Sequence, residues 1–126
     1  MPIDRISALK DERNNQDIAR LNAGKVKFYS TGGSATGTQL LEVTLQNPCA
    51  TTSAGVMTFL GFPMETVGLA TNAAAVVEFC NSAGTPQWLN VTAGVASDPG
   101  VIAVMDSTDV REDQISRVDQ IIIRHR

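Results

Sequence analysis

Histidine, cysteine and aromatic residues are scarce in this chain: one His, two Cys and six aromatics among 126 residues. The single histidine, His125, stands between Arg124 and Arg126 at the C-terminus, so a His-centred pair of nucleophile and base has no distributed partners. Cys49 and Cys80 are too few for a disulfide framework and are not spaced as a metal motif; they read as free thiols serving as small buried hydrophobes, a disulfide being open only if two strands bring them together in an oxidising medium. No run approaches the ~18 apolar residues of a membrane helix, and the charged start MPIDRISALKDERNN lacks the apolar stretch of a signal peptide. A soluble chain made in the cytosol, with no membrane partner, is expected. Its formal charge is -3 and its basic residues are scattered or confined to the ends, so a nucleic-acid-binding face is not expected either.

Cofactor and metal chemistry find equally little support. Gly32-Gly33 and Gly94 do not lie between a strand and a helix N-terminus, where a phosphate would be cradled. Asp106, Asp109, Glu112 and Asp113 lack the glycine and alternation of a cation loop, and read as a solvated turn. Trp88 and Tyr29 would be the aromatics of a sugar-stacking platform, although lone aromatics on strands more often fill a core or interface. No cofactor, no metal and no enzymatic activity are expected.

What the chain has is aliphatic strand material. With 43% hydrophobic and 5% aromatic residues, one core of Val, Ile, Leu and Ala is what a chain of this length can bury. In ATGTQLLEVTLQNP, Leu41, Val43 and Leu45 alternate with Glu42, Thr44 and Gln46, the period of a strand with one wet face, and Asn47-Pro48 ends it. Lys25 to Tyr29 alternates likewise, with Val26 and Phe28 inward. Gly55 to Leu60 reads as an inner strand after a Thr51–Ala54 loop. Ala73 to Asn81 places Val77 and Phe79 in and Glu78 out, and the turn Asn81 to Pro86 makes a hairpin into Trp88–Thr92. Ala93-Gly94 and Ser97–Gly100 read as turns, Val101 to Met105 as a short strand, and Gln114 to Arg124 as a last strand with an irregularity near Val118-Asp119. The spacing predicts an all-β fold, an antiparallel sandwich or barrel over residues 25–126.

Residues 1–24 differ. Ile3, Ile6 and Leu9 recur every three positions, and Ile18 and Leu21 resume the spacing after the polar break from Asp11 to Gln16. These are too few for a core helix, so the stretch reads as an arm with a short helix ending near Gly24, ordered against a partner. The run Phe59-Leu60-Gly61-Phe62-Pro63-Met64 is hard to bury in one small domain, and a dimer or trimer would cover it. Ile3, Ile6, Leu9, Ile18, Leu21, Phe62 and Met64 are therefore the candidate contact residues.

KVKFYST, the following Gly/Ala-rich loop, ATGTQLLEVTLQNP, GVMTF, the Ala-rich strand and NSAGTP together resemble a family of small phage structural proteins over residues 25 to about 105. The family includes capsid decoration, or cement, proteins of tailed phages. The resemblance implies a jelly-roll-like β-sandwich on the outer capsid surface, a symmetric oligomer bound to the major capsid protein, and no active site. A glycan-binding adhesin module of a phage fibre or surface protein, with weak binding of surface glycans, is the alternative. The acidic stretch Asp106 to Asp113 and the basic tail Arg124-His125-Arg126 depart from the family's pattern.

Overall fold

The computed structural model describes residues 7–54, 56–95 and 102–124. A helix, α1 (Ser7–Leu21), leads into β1 (Lys25–Tyr29), a one-turn helix α2 (Gly33–Thr36), and β2 (Gln39–Thr44). Then come β3 (Ala50–Ser53), β4 (Val56–Phe59), β5 (Met64–Val67), β6 (Asn72–Ala73), β7 (Val76–Cys80) and β8 (Pro86–Val95). The chain closes with β9 (Ala103–Met105), β10 (Asp109–Val110) and β11 (Ile115–Arg124). The molecule is all-β with a short helix.

Alternation explains the strands read correctly. In β1, Val26 and Phe28 are buried and the lysines half-buried, and cross-strand pairing sets Val26 against Val43 and Phe79, and Phe28 against Leu41 and Val77. Each pair joins apolar side chains on one face, the unit that stabilises a sheet. The β7–β8 hairpin forms through the expected turn, and the pairing of β11 with β9 shifts register between Val118 and Gln120, where the irregularity was expected.

Three segments differ from expectation. Ala50–Ser53 is a strand hairpinned to β4 and not a loop; Ala-Thr-Thr-Ser has no apolar alternation to announce it. Ala93-Gly94 continues β8 and makes no turn, because Ala93 pairs with Ala103 on the crowded core side. Glu78 is covered and not out: it is only 5% exposed, with Lys27 as its cross-strand neighbour on β1.

The pairing also differs from a purely antiparallel sandwich. Nine strands form one sheet in the order β2-β1-β7-β8-β9-β11-β4-β3, with β5 on β11 and a parallel pair at β8–β9. The sheet curls so that β5 returns to the free side of β2, where Thr66 Oγ1 donates to the Glu42 carbonyl (3.2 Å) and Leu69 N to the Leu40 carbonyl (2.8 Å).

The N-terminal stretch is a docked helix of 15 residues, where a partner-ordered arm was expected. Asn14, Ile18 and Leu21 are buried, and their i, i+4, i+7 spacing makes one stripe against β3 and β4. The polar break supplies part of the grip: Asn14 Nδ2 donates to Thr52 Oγ1 (2.8 Å), which donates to Asp11 Oδ1 (2.7 Å). Ile18 and Leu21 belong to the same hydrophobic cluster as the strands. Past the end of the helix, Ala23 adopts the left-handed conformation (φ 55°), one residue before the Gly24 at which the sequence places the helix end. Gly24 is required for another reason: a Cβ there would collide with the Cys80 carbonyl and stand 2.8 Å from that of Leu21.

Candidate protein-docking surface

Two distant segments, 64–74 and 108–118, form a ribbon, antiparallel at both ends and joined in the middle by an isolated parallel bridge between Gly68 and Glu112. At one end β5 pairs with β11, setting Glu65 opposite Arg117 and Val67 opposite Ile115; at the other β6 pairs with β10. Between them, Gly68 N donates to Gln114 O (2.8 Å), Asp113 N to Gly68 O (2.9 Å), Glu112 N to Thr71 Oγ1 (3.0 Å) and Ala74 N to Thr108 O (2.8 Å). Gly68 permits this lacing, since a Cβ would run into the Arg111 carbonyl.

The sequence pattern of β11 decides what the ribbon shows to solvent. Ser116 and Val118 are buried, so Ile115 and Arg117 face outward beside Val67 and Glu65. Ile115 is 68% exposed, Leu69 54% and Val67 49%. Beyond Leu69 lies an open cleft of about 490 Å³ lined by Thr71, Asn72, Ala73, Asp109, Val110 and Arg111. The N–H groups of the small β6–β10 sheet that point away from the partner strand are both taken by neighbouring side chains. Ala73 N donates to Asn72 Oδ1 (2.8 Å) and Asp109 N to Ser107 Oγ (3.2 Å).

Of the candidate contact residues, Ile18, Leu21, Phe62 and Met64 meet at the chain's own core. Ile3 and Ile6 lie outside the described residues, as does the side chain of Leu9. Ile18 and Leu21 are consumed by the chain's own core and cannot serve a partner from this conformation. Phe62 and Met64 are half-buried against that core, Phe59 is buried, and the run they form leaves less apolar surface than expected. Leu89 on β8 is exposed as well; of the exposed apolar residues on the ribbon, Val67, Leu69 and Ile115, each follows polar or turn residues, and the register that sets Val67 opposite Ile115 spans more than forty residues.

Elsewhere the reactive groups are held quiet. Cys49 and Cys80 are free and buried. Burial pushes the Cys49 thiol up to about 11. Burial likewise raises Cys80, helped by Glu78, whose Oε1 accepts its S–H at 3.6 Å. Both therefore stay protonated at neutral pH and are poor nucleophiles. Tyr29 is raised by burial and then by the Glu78, Cys80 and Glu42 charges. Trp88 pairs with Phe79 on the inner side (ring centroids 5.1 Å), whereas Tyr29 pairs with Val76 on the other face, so the two form no joint platform.

Comparison of the chain with family models, with curated proteins and with solved structures returns no match.

Proposed function

We propose that this protein is a non-catalytic phage capsid decoration protein that binds the outer surface of the major capsid shell and stabilises it by bridging neighbouring subunits. The observation that carries this reading is the ribbon, where Val67, Leu69 and Ile115 stand exposed on a backbone laced by hydrogen bonds. A rigid apolar spot with a polar rim has the composition of a protein contact. The resemblance of residues 25–105 to phage structural proteins supplies the class of partner. Three such side chains present on the order of a few hundred Å², the largest patch a monomer commonly exposes. A stable pairwise interface takes roughly 800 Å² from each partner. Each contact through the spot is therefore weak by itself, and attachment gains strength when a dimer or trimer engages a repeating shell at several points.

The glycan-module alternative needs an aromatic platform, and Trp88 and Tyr29 lie on opposite faces. Co-sedimentation separates the two readings. The purified protein should pellet with shells of its cognate major capsid protein and not with polysaccharide, and V67S/L69S/I115S should stay in the supernatant while remaining folded. Pelleting with polysaccharide alone, or with neither, overturns the proposal.

A further inference from the structure

Most of the molecule's net acidity lies on the ribbon. Within 64–74 and 108–118 stand four carboxylates (Glu65, Asp109, Glu112 and Asp113) against two arginines, Arg111 and Arg117, a net of -2, and Asp106 and Asp119 flank it. The whole chain carries -3, so the residues outside the ribbon together sum to -1. Arg117 is already engaged, with Nε 2.7 Å from Asp119 Oδ1. Asp109, Glu112 and Asp113 are exposed and have no cationic partner among the described residues, and they border the same segment that presents Leu69 and Ile115.

We infer that the ribbon docks a basic polypeptide surface with an aliphatic centre: Val67, Leu69 and Ile115 cover the partner's aliphatic side chains while its lysines or arginines meet the surrounding carboxylates. This rests on the decoration reading only for where the partner resides; the charge and apolar pattern stand without it. The apolar trio gives the contact its location and the uncompensated acidic rim gives the partner its sign, since like charge placed opposite the rim would repel. Strand addition to the small sheet is disfavoured, because its outward N–H groups are taken by Asn72 Oδ1 and Ser107 Oγ. Recognition is therefore through side chains.

The probes are a short peptide alternating lysine with valine, its charge-reversed counterpart alternating glutamate with valine, and oligolysine. Each is titrated into the full-length isotope-labelled protein and followed by amide chemical shifts. The lysine–valine peptide should move resonances of 64–73 and 108–117, bind about tenfold or more tightly than either control, and weaken as salt is added. D109N/E112Q/D113N should lose most of that preference, and V67S/I115S should reduce the peptide to the level of oligolysine. Equal binding of the glutamate peptide, oligolysine binding as well as the mixed peptide, shifts that map elsewhere, or no binding would each overturn the inference. Shell co-sedimentation in the absence of peptide preference would leave the decoration reading standing and remove only this one.

Discussion

Cys49 is held at both ends, its N–H donating to Asn22 Oδ1 (2.9 Å) and its thiol to the Ile18 carbonyl (3.5 Å). Its pKa rises from 9.0 to about 11 because the buried site disfavours the thiolate. The unfolded chain therefore loses this proton first as pH increases. Below pH 9 both states hold it and no stability is at stake; between about 9 and 11 the folded state binds more protons and stability falls. Two pH units correspond to about 2–3 kcal/mol. Urea unfolding at pH 7.5, 9.5 and 10.5 should show a steeper alkaline loss for the wild type than for C49A, and parallel slopes would contradict this assignment. Cys80 contributes with the same sign. At Gly68 a different constraint operates: G68A must displace the Arg111 carbonyl, so the ribbon's lacing should open. Faster amide exchange at Asp113 and Gln114, with core amides unchanged, would report it.

At the scale of elements, the helix and the edge hairpin are one construction. Ile18 and Leu21 bury apolar surface against β3 and β4, and Thr52 bridges Asn14 and Asp11. I18A should cost about 2–4 kcal/mol by denaturant unfolding, as buried aliphatic truncations do. T52V, which removes both hydrogen bonds without a large change of shape, should cost about 1–3 kcal/mol. Near-zero values for both would mean that the helix contributes nothing to the fold. Deleting residues 1–23 removes two core side chains, so loss of shell binding by that truncation would report unfolding before it reported a missing grip. The helix was legible as a helix, but its docking was not: Asn14 occupies a stripe position normally read as apolar, and its partner on β3 lies 38 residues away. For the same reason β3 was missed while β1, β2 and β7 were plain, since their apolar residues alternate and those of Ala50–Ser53 do not. The acidic turn was legible as exposed charge. That it borders Val67 and Leu69 was not, because only the long-range register of β5 on β11 brings these segments together.

At the scale of the molecule, one hydrophobic cluster includes residues from α1 and from both ends of the curled sheet. A shared core makes unfolding a single event. Helical circular dichroism and Trp88 fluorescence should therefore trace superimposable urea transitions, whereas an independently ordered arm would melt first by the helical signal. The open ends of the small β6–β10 sheet bear on a different property. Copies of one chain at high concentration bring identical sheet edges close together, the situation in which exposed strands zip into aggregates. Here the Asn72 carboxamide and the Ser107 hydroxyl occupy the outward N–H groups of Ala73 and Asp109. Neighbouring copies therefore meet edges with no free donors at these positions, and strand pairing between them has no N–H group to start from there.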